Sequence, residues 1–226
     1  MMTIDLDAIS AKLESSSSRD RLLALASLRD VEAAAAVPLI KKVLNDENLQ
    51  VRSMAVFALG LKPTAENYEI LVELVETDPD YGIRSAAAGA LGYLEDQRAV
   101  GVLVRALYED TDWLVRFSAA ASLGNLKDPR ATKVLIEALD SPEVVIQQAA
   151  IAALGEIKAT DALPHILRFA DAEDWLVRQR LAESLGNFSD PKAISALKYL
   201  EKDSHPQVAA AATFGLQNLA QAGYQV

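Results

Sequence analysis

An all-α solenoid, a right-handed superhelix of about seven helix pairs in one domain spanning residues 1–226, is the fold this sequence predicts. The first observation is a dipeptide. Leu59-Gly60, Leu91-Gly92, Leu123-Gly124, Leu154-Gly155 and Leu185-Gly186 recur at spacings of 32, 32, 31 and 31 residues, and Leu216-Gln217 follows 31 later. The second is an apolar residue eight positions before each leucine: Val51, Ile83, Val115, Ile146, Val177 and Val208. The third is a phrase, Asp112-Trp113-Leu114-Val115-Arg116, that returns as Asp174-Trp175-Leu176-Val177-Arg178. A repeat of about 31 residues marks stacked units, each touching its neighbours.

Each unit reads as two helices. The first, helix A, is expected at about 5–14, 33–44, 66–76, 97–108, 129–139, 161–170 and 191–202. Stripes such as Leu39, Ile40, Val43 and Leu44 carry it. Pro129 and Pro191 follow Asp128 and Asp190 and suit first-turn positions after an N-cap, whereas Pro38 and Pro164 fall where they start or kink the helix. The second, helix B, is expected at about 19–30, 48–60, 81–93, 113–125, 143–156, 175–187 and 206–221. With the valine or isoleucine as position 0, its apolar positions are 0, +4, +7 and +8, a helical stripe. The closing glycines suit a left-handed helix end. Ser15 to Ser18 reads as a turn, with Ser18 capping the first B helix.

Composition narrows the chemistry. Hydrophobic residues make up 51% and aromatics 6%, so the core is built from Ala, Leu, Val and Ile. With no cysteine, disulfides, thiolate metal sites and cysteine nucleophiles are excluded. A net charge of −10 disfavours nucleic acid and anionic lipid as general partners. No secretory leader is visible at Met1 to Asp5, and no apolar run reaches the ~20 residues of a membrane span, so a cytoplasmic protein is expected. Gly82, Gly89 and Gly92 are not spaced to cradle a nucleotide, and no metal-ligand cluster or Ser/His/Asp order stands out.

The pattern Asp-x5-Arg followed by Ala-x-x-Ala-Leu-Gly resembles the HEAT repeat, and the short unit with Trp two before Val is similar to the HEAT-like repeats of phycobilin lyases. That resemblance covers essentially the whole chain. It implies binding to bilin-carrying phycobiliproteins (phycocyanin and allophycocyanin subunits), a role in dismantling the antenna, and bilin as substrate or ligand rather than as a resident cofactor. The alternatives are a non-catalytic HEAT scaffold for an unrelated protein and a subunit of a bilin-attaching lyase. HEAT-repeat iron hydroxylases are set aside: they use several His-Glu pairs, and here the two histidines are followed by Ile166 and Pro206.

Two rows carry the candidate residues. Asp46 and Arg52, Asp78 and Arg84, and Asp110 and Arg116 stand six apart, so carboxylate–guanidinium pairs are expected to clamp the turns within or between units. Arg178 has Ala172 six before it and is expected to be the free arginine, available to a bilin propionate under the resemblance. The second row lies opposite the core stripe, at positions −2, +2 and +9, about 160–200° around the helix. Because helix B lines the concave side of HEAT stacks, Tyr81, Trp113, Phe117, Gln148, Trp175 and Gln179 are expected to pave a groove.

Arg180, at a position small or apolar in other copies, and Glu183 would mark the polar end of that groove. Were a bilin detached, the step would eliminate a cysteine thioether. It would need a base for a ring proton and an acid for the leaving thiolate, and Glu183, Asp112 and Asp174 are the candidate carboxylates. The apolar run Ala209 to Ala212 with Phe214 admits a weak homodimer as well as a monomer. On this reading, Trp113→Ala and Trp175→Ala weaken partner binding and leave helical circular dichroism unchanged; collapse of that signal in both would make the rings core.

Overall fold

A computed structural model describes residues 5–224, and every regular element among them is helical. Met1 to Ile4, the start at which no secretory leader is visible in the sequence, lie outside the described residues. The chain divides into two compact units, Met1–Ala119 and Ala120–Val226, the division falling inside the eighth helix.

In the first unit the A helices are α1 (Leu6–Leu13), α3 (Ala33–Lys41), α5 (Ala65–Thr77) and α7 (Val100–Glu109), and the B helices are α2 (Ser18–Ser27), α4 (Leu49–Gly60) and α6 (Tyr81–Tyr93), with α8 (Trp113–Leu126) starting in it and ending in the second. In the second, the A helices are α9 (Thr132–Ala138), α11 (Leu163–Leu167) and α13 (Pro191–Leu200), and the B helices are α10 (Val144–Ile157), α12 (Trp175–Leu185) and α14 (Pro206–Gln221). The periodicity therefore places each pair, with ends moved by a few residues. Ser17 rather than Ser18 caps α2, its Oγ accepting from Asp20 N. Pro129 and Pro191 stand in first turns behind Asp128 and Asp190, which accept from Arg130 N and Lys192 N. Pro38 lies inside α3, and beyond Lys41 the amides of Lys42, Val43 and Leu44 reach back only three residues.

The A helices begin differently from the sequence expectation. Three open with a 3-10 turn, Gln97–Ala99, Pro129–Ala131 and Thr160–Ala162, and the α-helical part of α11 is only five residues before a second such turn at Arg168–Asp171. B helices hold the core. Val51, Ala55, Leu59, Ile83, Ala87 and Leu91 are buried in the first unit; Ile146, Ala150, Leu154, Val177, Leu181 and Leu185 are buried in the second.

The repeating glycines do not end helices in the left-handed region. That conformation falls three residues later on Glu95, Lys127 and Lys158, at φ 55°, 52° and 56°. After Lys158 the Ala159 amide donates to Leu154 O at 3.1 Å, closing a Schellman-type cap. The glycines instead permit contact between successive B helices. A Cβ on Gly60 would stand 2.7 Å from Ala90 Cα, and one on Gly124 2.7 Å from Ala153 Cα. On Gly155 it would meet Ser184 Cα at 2.9 Å, and on Gly186 Gly215 Cα at 3.0 Å. Each glycine is position +9 of its repeat and each contact is position +7 of the next, where the residue is Ala, Ser or Gly.

Gly124→Ala should therefore lower stability by about 1–3 kcal/mol through overpacking against backbone. Lys158→Gly should raise it by about 1 kcal/mol by relieving a left-handed non-glycine residue. Urea unfolding of the two variants checks both signs; a neutral Gly124→Ala would refute the close-approach role.

Candidate functional site

Position +9 packs on the following B helix and +7 on the preceding one, about 180° and 340° around the helix, while the core stripe occupies about 0–80°. What remains open is a broad arc near 250°, formed by positions −1, +2, +3, +6 and +10, together with −2 at the helix starts. Of the expected row, position +9 is corrected, because Gly60, Gly124 and Gly155 are buried by the next repeat, while −2 and +2 stay on the open side and Leu49, Ser53 and Ser85 line the trough described below.

In the first unit the open arc forms a trough of about 770 Å³. Its walls are Leu22 of α2, Leu49, Met54 and Phe57 of α4, and Tyr93 of α6. Its floor is short: Gly82, Ala86 and Gly89, with Ser53, Ser85 and Ser118. Small residues on α6 beside large ones on α4 are what open the space. Ser85 Oγ lies 2.9 Å from Ser118 Oγ, so part of the polar floor is satisfied internally. Phe57 and Tyr93 meet edge to face, with centroids 5.7 Å apart and planes at 87°. They nevertheless remain 41% and 54% exposed.

A second hollow of about 480 Å³ shares Met54, Phe57 and Tyr93 and continues over Leu25, Leu28 and Leu61 to Arg29 and Lys62. Lys62 is buried, and its Nζ donates to Arg29 O at 2.6 Å and Val31 O at 2.5 Å beyond the end of α2. Asn67 Nδ2 likewise donates to Leu59 O in the last turn of α4 and to Lys62 O just past it. The sequence reading missed Leu22, Met54, Phe57 and Tyr93. For the last three the signal was available: large apolar side chains at +3, +6 and +10 of the early repeats, where a later repeat has Ala149, Ala152 and Glu156.

The expected site residues fall as follows. Tyr81 and Trp113 are the first residues of α6 and α8, 52% and 49% exposed, and Phe117 is half-buried on α8. None of the three lines the trough. Gln148 is half-buried on α10. Trp175, also half-buried, stacks on His205 with centroids 3.8 Å apart and planes at 13°. Arg180 is exposed rather than partly core, since +3 lies on the open arc, and it pairs with Glu183 at 2.6 Å. Gln179 donates to the same carboxylate at 2.9 Å. Asp112 accepts from Leu114 N at 2.9 Å and Asp174 from Leu176 N at 2.8 Å, so both carboxylates serve helix starts. Tyr81, Trp113 and Phe117 belong to the first unit and Gln148, Trp175 and Arg178 to the second.

Arg178 is not free. Its Nε and Nη2 donate to Asp203 at 2.6 and 3.0 Å, and its Nη1 reaches Ala172 O at 2.6 Å. The acid that matters stands in the next repeat, 25 residues on, while the position six before contributes only a carbonyl. Arg84 does the same with Asp110 and Asp78 O, and Arg21 with Asp46 and Ser15 O. Gln147 reproduces the carbonyl contact alone, at Ser141 O, and the next repeat has the neutral Ala172 where an acid would meet it. The Arg178 hydrogen bonds hold the Asp203 carboxyl below the usual carboxylate range. For Asp110, burial pushes upward but is outweighed by the Arg84 hydrogen bond and the Asp112 amide, so it too is lowered. Among the described residues no group of three or more His, Asp or Glu side chains stands together as metal ligands, and no helix is long and apolar enough to cross a membrane.

The sequence pattern of the HEAT repeats family matches residues 6–92, 68–146 and 132–217. The chain belongs to that family. Among solved structures it is similar to a chain in the complex of CpcE and CpcF of phycocyanin lyase from Nostoc sp. PCC7120, with a TM-score of 0.63 and 22% identity over 97% of this chain and 96% of that one. It is similar to a chain in a structure of Kap95p bound to RanGDP, with a TM-score of 0.63 and 19% identity over 98% of this chain and 36% of that one. An engineered protein gives a TM-score of 0.56 and 22% identity over 95% and 68%. At these identities the likeness is one of fold. No protein of curated function matches in sequence.

Because the folded-state pKa of Asp203 is depressed, the stability from its pair is fully present above the unfolded carboxylate value of about 4 and is lost as pH falls through the lower folded value. Asp203→Asn should thus be less stable than the parent chain at pH 7, by about 1–3 kcal/mol, and the gap should narrow below about pH 4. Urea midpoints at pH 7 and pH 3 measure it; a gap independent of pH would contradict the ion-pair assignment.

Proposed function

We propose that this member of the HEAT-repeat family is a binding array whose first unit holds a segment of a partner protein in the trough on α2, α4 and α6. The observation that carries the reading is the exposure of Phe57 and Tyr93 on the open arc of the B helices, where they meet each other over an apolar hollow and stay accessible. Large aromatic side chains standing in an apolar hollow are the usual anchors of recognition. Tyr81 and Trp113, exposed at helix starts of the same unit, extend the surface in this proposal.

The finer form of the proposal names the partner. The short repeat resembles that of phycobilin lyases, and the fold is shared with a chain of the CpcE–CpcF complex of phycocyanin lyase. On that basis the partner is a bilin-carrying phycobiliprotein, and the role is similar to that of the phycobilisome degradation protein of the non-bleaching B type. Binding is favoured over chromophore detachment by what the candidate carboxylates do. Asp112 and Asp174 accept backbone amides at helix starts, and Glu183 is engaged by Arg180 and Gln179. The fold shared with Kap95p supports the second reading, a scaffold for an unrelated protein.

Mixing the chain with phycocyanin or allophycocyanin and following light scattering and the visible spectrum separates these readings. The expected outcome is a complex with unchanged absorbance, weakened at least about tenfold in a Phe57→Ala/Tyr93→Ala variant of normal helicity, a loss of about 1.4 kcal/mol. Bleaching would restore the detachment reading. No complex with either pigment-protein would leave the unrelated-scaffold reading.

A further inference from the structure

The trough has a polarity of charge that the proposed function does not use. Neither it nor the adjoining hollow is lined by any Asp or Glu, in a chain with 32 acidic residues against 22 basic ones. Two cations stand where the hollow runs out past the ends of α2 and α4: Arg29 and Lys62. Lys62 is committed, its ammonium donating to Arg29 O and Val31 O. Arg29 is exposed and makes no ion pair or side-chain hydrogen bond among the described residues, unlike Arg21, Arg84 and Arg98 of the same unit. An uncommitted guanidinium at one end of an acid-free apolar channel favours an occupant with a carboxylate at the matching end.

Shape narrows the occupant further. From Leu49 to Gly60, α4 runs about 17 Å at 1.5 Å per residue, so the channel along it accommodates about three turns of another helix. Its walls combine adaptable Met54 with the rings of Phe57 and Tyr93, and its floor has glycine and alanine where a partner's large side chains can sink. We propose that the first unit binds an amphipathic α-helix of a partner protein, apolar along one face and ending in acidic side chains that meet Arg29. This rests on the binding reading above and adds the partner's secondary structure and the charge at its end.

The test uses two labelled model peptides of roughly 16 residues, with leucines at i, i+3, i+4 and i+7 and alanine and glutamine elsewhere. They differ only in a terminal run of three glutamates in one and three lysines in the other. Fluorescence anisotropy with the full chain at low salt should show the glutamate peptide binding at least about tenfold tighter, with the gap shrinking in high salt. Arg29→Glu should invert the preference, and Phe57→Ala should weaken both peptides. Equal binding of the two peptides, or an unchanged preference in Arg29→Glu, would overturn the proposal. If neither peptide binds while a pigment-protein complex still depends on Phe57 and Tyr93, the helix inference fails and the binding reading survives. Self-association of the unmixed chain that disappears in Phe57→Ala would identify a second copy as occupant and equally overturn it.

Discussion

The backbone-to-backbone approach of successive B helices sets the remaining geometry. A glycine at +9 of one repeat rests on an Ala, Ser or Gly at +7 of the next, at separations where a single added methyl collides with main chain. Such contact fixes how far apart the repeats stand and how each helix is rotated about its axis. Rotation then decides which residues are hidden and which are left out. Positions 0, +4 and +8 go to the core, +7 and +9 go to the flanking helices, and the arc between them is open. The trough exists because that arc carries Met54 and Phe57 on α4 and only glycine, alanine and serine on most of α6.

Much of this was legible in the sequence, for a physical reason. A buried stripe and a fixed repeat length are one-dimensional signals, so fourteen helices fell close to their expected bounds. The final helix matched from Pro206 to Gln221. The rotation of the open face was not legible, because it depends on two neighbours as well as on the helix's own core. Reading the helix alone made Gly60 and Gly124 look exposed and Arg180 look half-core; adding the flanking helices reverses each. The same holds for Arg178. Its partner lies 25 residues away across a repeat boundary, and its own repeat offers only Ala172 at the matching position.

The two units put different chemistry on the same arc. At +2, +3 and +6, α4 has Ser53, Met54 and Phe57, whereas α12 has Gln179, Arg180 and Glu183 joined by an ion pair and a hydrogen bond. A saturated, exposed polar cluster contributes little net affinity, since its groups must shed partners before accepting new ones. The apolar version contributes through burial. The arginine row differs in kind from both: from the first turns of the B helices Arg21, Arg84 and Arg178 reach into the turns between helices, partly buried, and join one repeat to the next.

The brief α-helical stretch of α11, five residues between two 3-10 turns, has a mechanical consequence. Short helices contribute few hydrogen bonds for the chain entropy they restrict, and 3-10 turns bond less well than α-turns. In a chain whose units are held by their immediate neighbours, the softest link is where amides first trade protons with solvent and where a protease first gains entry. By that argument the segment around Leu163–Leu167 is where exchange and cleavage are expected to begin within the second unit, between the glycine seams on either side.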